Sequence, residues 1–373
     1  MTKIKKLLRH IFLKKHIVWF CLTLLFPLTI ILRAAARANP ALTEKIFSKN
    51  IYPVISRPIS FITGIFPFSV AEFGIYFSII LVPALIIFNI IRKKGKRIKL
   101  SVTYFIRLLG IFGAGIFLFN ALFAFNYYRL PLADTLELKV EKRSGEDLAE
   151  VCRYLAEEIN KIRPELDENA DGVLKLPHKN SFYYKNVNKA YANLKEQTGY
   201  PFHSYGKPKG VAASELMCYT FICGVFCPFT VEANVNIKEP ACFRLSTILH
   251  EGAHQRGFAK EDEANFLSYK AALVSGDIYV EYSGLLMAYS YTVEALYSAN
   301  KTLAQEIIDK LCEEANRDLR DYNEFWDKYE TPVAEISNNA NDTFIKSNDQ
   351  KEGVKSYALM TDLVIADYFK EKN

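Results

Sequence analysis

The chain has 373 residues and a net charge of +6, but the charge is unevenly held: residues 1–130 carry 19 Lys+Arg against 2 Asp+Glu, and the remainder 28 against 39. A surplus of acid over the larger part argues against a nucleic-acid partner, which needs basic stripes to meet the phosphate backbone. So divided a chain reads as two physical objects.

The first object holds three uncharged apolar runs, at about 17–32, 73–91 and 108–125. Each approaches the ~20 residues a helix needs to cross a bilayer. Pro27, Pro83, Gly110, Gly113 and Gly115 interrupt them, which is tolerated where neighbouring helices satisfy the freed backbone groups. Trp19, Tyr127 and Tyr128 stand at run ends, as suits the headgroup boundary. Lys3, Lys5, Lys6, Arg9, Lys14 and Lys15 precede the first run, and Arg92, Lys93, Lys94, Lys96, Arg97 and Lys99 separate the second from the third. Both clusters belong on the cytoplasmic side. The expectation is a membrane domain over 1–129 with three transmembrane helices, and a domain over 130–373 on the extracytoplasmic side. Arg33 and Ala34 to Ala36 also read as the end of a cleaved signal, which leaves the large domain on the same side.

In that domain, Gly145 to Ile162 repeats apolar residues every three to four positions, a surface helix, and Asn180 to Thr198 is an aromatic-rich second one. Pro164, Asp167 and Gly172 mark the loop between them. Thr230 to Lys238 alternates with period two, which predicts a strand with one buried face. Such a strand is plain sheet, or else an edge able to dock an extended peptide. Helical patterns follow over Phe266 to Ser298, Leu303 to Tyr329 and Ser356 to Phe369. Six of the seven cysteines lie here; Cys223 and Cys227 lack a second metal-binding pair, and read as small buried hydrophobes or one disulfide.

The segment Ser246 to Asn265, STILHEGAHQRGFAKEDEAN, carries the chemistry. On a helix, His250 and His254 lie one turn apart on one face and can aim at one point. Glu251 stands beside that point without ligating it and can take a proton from an activated water. A catalytic zinc needs a third protein ligand and an open position. The helix should stop at Gly257 and a new one begin near Glu261, which places Glu261 and Asn265 one turn apart. Glu261 then suits ligation with Asn265 hydrogen-bonded to a ligand; Glu263 is the rival. For Glu261 to Glu263 the alternative role is an acidic first turn favoured by the helix dipole. Tyr282, Tyr289, Tyr291 and Tyr357 are eligible oxyanion donors, whereas His203 is an ordinary surface or core histidine.

HEGAH followed by EDEAN resembles the zincin metallopeptidases of the glutamate-ligand branch, in which H-E-x-x-H precedes a helix bearing E-x-x-A-[DN]. By that match Glu261 is the zinc ligand, and Asn265 stands where many members have Asp. More closely, GVFCPFTVEANVN, HEGAHQRGFAKEDEANF and the tail NDTFIKSNDQKEGVKSYALMTDLVIADY resemble a bacterial membrane family known as domain of unknown function 3810. The resemblance implies a three-helix membrane anchor followed by an α+β, mostly helical zincin-like domain with a small sheet. It also implies one zinc ion held by His250, His254 and Glu261, Glu251 as the catalytic base, and a peptide or protein substrate met at the bacterial cell membrane. The alternative is a membrane sensor or binding protein that keeps the domain without hydrolysis.

Overall fold

The computed structural model describes residues 17–92 and 102–372. Helix α1 (Ile17–Ala38) leads through a π-helical stretch, Thr43–Ile51, into α2 (Tyr52–Gly64), followed by α3 (Val70–Arg92) and α4 (Val102–Leu122). The chain divides into two compact units: Met1–Tyr52 with Val70–Arg129, and Pro53–Ser69 with Leu130–Asn373. Helix α2, apart from Tyr52, thus belongs with the large C-terminal unit although it lies between apolar helices in the chain.

In the first unit α1 and α4 pack closely. A Cβ on Gly110 would lie 2.9 Å from the Trp19 carbonyl oxygen, and one on Gly113 2.5 Å from that of Leu22. Small residues that bring helix backbones together are the usual means of association where lipid removes the hydrophobic drive. Thr23 and Thr29 donate to carbonyls one turn back, Trp19 O and Leu25 O. Buried Glu44 accepts two hydrogen bonds from Arg129, at 2.8 and 2.9 Å. Among the described residues two helices are long and apolar enough to cross a membrane, α1 and Phe105–Leu122 within α4, where three were expected. In α3 the described apolar stretch is Val70–Leu85. The helix as a whole runs 23 residues, roughly 35 Å at 1.5 Å per residue. The basic residues Lys3 to Lys15 and Lys93 to Lys99 lie outside the described residues.

The second unit is mostly helical: α5 (Gly145–Ile162), α6 (Asn180–Thr198), strands β1 (Lys209–Gly210), β2 (Gly224–Cys227) and β3 (Glu232–Val235), then α7 (Ala241–Gln255), α8 (Glu261–Leu273), α9 (Ile278–Ala299), α10 (Lys301–Ile308), α11 (Glu313–Asp327), α12 (Pro332–Ser347) and α13 (Met360–Lys372). Ser144 and Asp147 form a reciprocal capping box that starts α5. Gly199, at φ +72°, closes α6 in the left-handed conformation that glycine adopts freely.

The sheet order is β1-β3-β2, with β1 parallel and β2 antiparallel to β3. The expected strand Thr230 to Lys238 is therefore the short central β3, with a neighbour on each side. It is not an edge, and all four of its residues are buried rather than one face. Burial of Glu232 is possible because Lys209 Nζ pairs with it and also donates to Thr63 O at 2.7 Å. The edge on the far side is β2.

Helix α7 lies between the sheet and the pair α8 and α9, with Leu245, Ile248 and Leu249 in a core shared with Phe266, Leu267, Leu285 and Leu286. In α8 every residue but Asp262 and Leu273 is buried, which marks a helix enclosed on all sides. Its Lys270 is neutralised by Asp367 and Glu371 of α13, each at 2.8 Å. The expected continuous helix Phe266 to Ser298 is broken by Ser275 and Gly276 (φ +71°), after which Asp277 caps α9 through the Tyr279 and Val280 amides. Likewise Leu303 to Tyr329 is broken between α10 and α11. Helix α12 had no counterpart in the sequence reading, because it buries only Ala334 and Ile345 and so has little apolar periodicity. All seven cysteines are free thiols; Cys152, Cys218 and Cys242 are buried.

Candidate metal centre

Both histidines sit in the last two turns of α7. The helix ends in a Schellman arrangement: Gly257, at φ +83°, donates to His254 O at 2.9 Å, and Phe258 N donates to Ala253 O at 3.2 Å. This reversal brings Phe258 O back over the helix end, where it accepts from His254 Nδ1 at 2.7 Å. A carbonyl can only accept, so Nδ1 of His254 carries a proton, which leaves Nε2 as the nitrogen that faces Glu261.

His250 is fixed in the same sense by α8. Its Nδ1 lies 2.7 Å from Asn265 Oδ1, and the Asn265 amide is oriented by donation from Nδ2 to Tyr357 O at 3.3 Å. His250 therefore also presents its Nε2. Glu261 opens α8, its amide held by Gln350 Oε1 at 3.2 Å. Its Oε2 lies 3.3 Å from Nε2 of both His250 and His254. The two rings stand nearly perpendicular, 88° apart with centroids at 4.6 Å.

One ligand atom from each of His250, His254 and Glu261 lies within 4.8 Å of the others, a group able to hold a metal ion. The fit is supported by the donor chemistry: both Nδ1 atoms are occupied, both Nε2 atoms converge, and buried Glu261 Oε2 has no hydrogen-bond partner. Two imidazoles and a carboxylate, each steadied from behind, form the type of set that binds zinc in an open tetrahedral site. Glu263, the rival ligand, is engaged elsewhere: its Oε1 accepts from Leu132 N at 2.9 Å and Lys260 Nζ at 3.1 Å.

The electrostatics of the triad are coupled. Burial opposes ionisation of Glu261, yet the neighbouring His254 and His250 outweigh it and hold the carboxyl well below its ordinary range. In return, although burial favours the neutral ring, Glu261 pushes His254 up to about 9. Burial lowers His250, with His254 adding to the effect.

Glu251 lies beside the triad and is 3% exposed. Burial pushes its carboxyl up to about 8, and Oε2 has no hydrogen-bond partner. It packs against β2 at Gly224, where a Cβ would come 2.4 Å from Glu251 Oε1. Any larger residue at that strand position would have to displace the Glu251 side chain. On its opposite side α7 is seated by Gly252 against Val187 and Tyr191 of α6, and Tyr191 Oη donates to Leu249 O at 2.8 Å. Buried Glu239 accepts from Thr247 Oγ1 at 3.0 Å and is raised by burial to about 7.

Of the four tyrosines considered as oxyanion donors, two are near the triad. The Tyr357 ring stacks 6.3 Å from His250, and Tyr291 lies close enough to Asn265 and Glu261 for both to act on its phenol. Burial raises both phenols, and the Glu261 charge adds to it. Tyr282 is committed to Asp318, to which it donates at 2.7 Å, and Tyr289 is enclosed in the core away from these groups. The His178 ring lies against Phe182, centroids 4.2 Å apart and tilted by 36°, and His203 is half-buried, neither joining the triad. Gly224, Gln350 and the Phe258 carbonyl were not singled out from sequence. An isolated glycine in a strand is the one signal among them.

The chain belongs to the family described as protein of unknown function (DUF3810), which matches residues 47–365. That match spans α2, both histidines, Glu261 and Tyr357, but stops short of α1. No curated protein and no solved structure matches the chain.

Proposed function

We propose that this protein is a membrane-anchored zinc metallopeptidase of zincin type. The observation that carries the proposal is the convergence of His250, His254 and Glu261 within 4.8 Å, with the Glu251 carboxyl buried beside them and its Oε2 without a hydrogen-bond partner. His250, His254 and Glu261 would hold one zinc ion, which supplies an acidified water and a polarised carbonyl. Glu251 accepts the proton of the attacking water, holds it in a site closed to solvent, and returns it to the leaving amine as the peptide C–N bond breaks. Asn265 and Phe258 keep both imidazoles in the ligating tautomer throughout. Among the tyrosines, Tyr291 and Tyr357 stand nearest to where a carbonyl oxygen gains charge.

The apolar helices anchor the chain in a bacterial membrane, and the C-terminal unit works on the extracytoplasmic side. Support for that side comes from the two basic clusters, before α1 and after α3. For both to face the cytoplasm α3, 23 residues long overall, must return the chain across the bilayer.

Metal analysis tests the core of the reading. Wild-type protein is expected to carry about one equivalent of zinc, and His250→Ala and Glu261→Ala to lose it. Glu251→Gln should retain the metal while peptide cleavage falls by about 10²–10⁴-fold. Cleavage at the wild-type rate by Glu251→Gln, or a wild-type protein without metal affinity, would reject the assignment.

A further inference from the structure

Helix α2 is amphipathic in the inverse sense. The side it turns to the rest of its unit is polar: Ser56, Ser60 and Thr63 are 0%, 1% and 8% exposed. Ser60 Oγ accepts from Gly206 N at 3.0 Å and from Gln255 Nε2 at 2.8 Å, while Thr63 Oγ1 donates to Thr230 O at 2.9 Å. Ser56 and Tyr205 share a hydroxyl bond at 3.0 Å. The outward side is apolar: Val54 is 74% exposed, Ile62 61% and Ile65, in the turn that follows, 78%, with Phe61 and Phe66 also open. Phe229, next in the chain to the Thr230 that Thr63 holds, is 53% exposed. A helix on a water-soluble surface has the opposite arrangement, apolar side inward.

We infer that the outward face of α2, with the turn Ile65 and Phe66, is immersed in lipid acyl chains at the bilayer surface, docking the metal-site unit onto the membrane through an element that is not itself a span. The inference rests on the membrane-anchored reading above and is independent of the peptidase chemistry. Lipid is the occupant because of where the helix sits in the chain: α1 precedes it, and only residues 65–69 separate it from the apolar start of α3. An apolar face tethered on both sides to such helices lies at the boundary where interfacial helices bury their apolar side. Arg57 fits that boundary: its Nε donates to Ser204 O at 3.3 Å and its guanidinium lies 6.0 Å from the centre of the Phe61 ring, which suits a charge at headgroup level beside a ring that enters the chains. The consequence for the site is direct. Gln255, which holds Ser60, is the residue after His254, so lipid contact is one hydrogen bond from the helix that bears both histidines.

The test is tryptophan quenching in the full-length chain, with Trp19 and Trp326 changed to Phe, in phosphatidylcholine vesicles with and without bromine on the acyl chains. Single tryptophans are placed by Ile62→Trp and Ile65→Trp, beside Ile111→Trp on α4 as the lipid standard and Val140→Trp as the water standard. The expected result is quenching at positions 62 and 65 of roughly half or more of that at 111, with little effect of aqueous iodide. Quenching no stronger than at 140 overturns the inference, whether iodide reaches the probe, which means water, or neither quencher does, which means a covering protein. An unquenched Ile111→Trp removes the membrane reading and this inference together, leaving the metal chemistry to its own assay.

Discussion

His250 and His254 are useful as a pair because each has one ring nitrogen already spoken for. Asn265 Oδ1 and Phe258 O, both at 2.7 Å, engage Nδ1 of each ring and turn both Nε2 atoms to Glu261. Removing the support behind His250 should therefore weaken metal binding without unfolding the unit. Asn265→Ala is expected to lower zinc affinity about 10–100-fold, read by competition with a chromogenic chelator, and Asn265→Asp, which keeps an acceptor, to recover most of it. Gly224 acts on Glu251 in a different way. A methyl group at that position has to displace the carboxylate it would touch, so Gly224→Ala should cost about 1–3 kcal/mol of stability and reduce cleavage while the metal content stays at the wild-type level. Denaturant titration alongside metal analysis checks both parts. The histidine spacing and the Glu251 and Asn265 positions are legible in sequence because they repeat with the turn of a helix. Gly224 and Phe258 O are not, since each matters through contact with a residue far along the chain or through a backbone reversal.

Between elements, the support for the site is a buried polar junction. Asp318 of α11 accepts from Arg163 Nε at 2.7 Å and Nη2 at 3.2 Å, from Tyr282 Oη at 2.7 Å and from Leu174 N at 2.8 Å. It thereby joins the end of α5, the following loop, α9 and α11. Arg163 is fully buried, so loss of Asp318 leaves its charge with only Glu168 at 3.1 Å and the Gly172 carbonyl to offset it. Asp318→Ala is expected to cost about 3–5 kcal/mol, measured by chemical denaturation in detergent, with Glu251 chemistry untouched in whatever fraction stays folded. Helices α5 and α6 could be bounded from sequence because a cap or a glycine punctuates a clear apolar period. The breaks at Ser275 to Asp277 and between α10 and α11 were hidden within runs of helix-forming residues. Helix α12 was hidden because it is mostly exposed.

At the scale of the molecule, the chain order and the compact units disagree over residues 53–69. A fragment beginning at Leu130 lacks α2, so Gln255 Nε2 and Gly206 N lose Ser60, Thr230 O loses Thr63, and buried Lys209 loses a carbonyl. Restoring 53–69 to such a fragment, through a linker, should stabilise it by about 2 kcal/mol or more, seen as a higher denaturation midpoint. Equal midpoints with and without the segment would contradict the packing described. A reporter fused after Asn373 is expected to signal from outside the cytoplasm, and a cytoplasmic signal would reverse the topology.

Local periodicity and composition determined the apolar helices, the uneven charge, the two histidines one turn apart and the glycine that ends their helix, because each depends on residues within a few positions. Which tyrosines stand beside the histidines, which strand is central and where α2 belongs were decided only by tertiary structure. Glu261 and Glu263 differ by two positions on one helix, about 200° of rotation; the spacing to Asn265 and the EDEAN resemblance favoured Glu261, and the packing of α8 on α7 is what brings it to both rings.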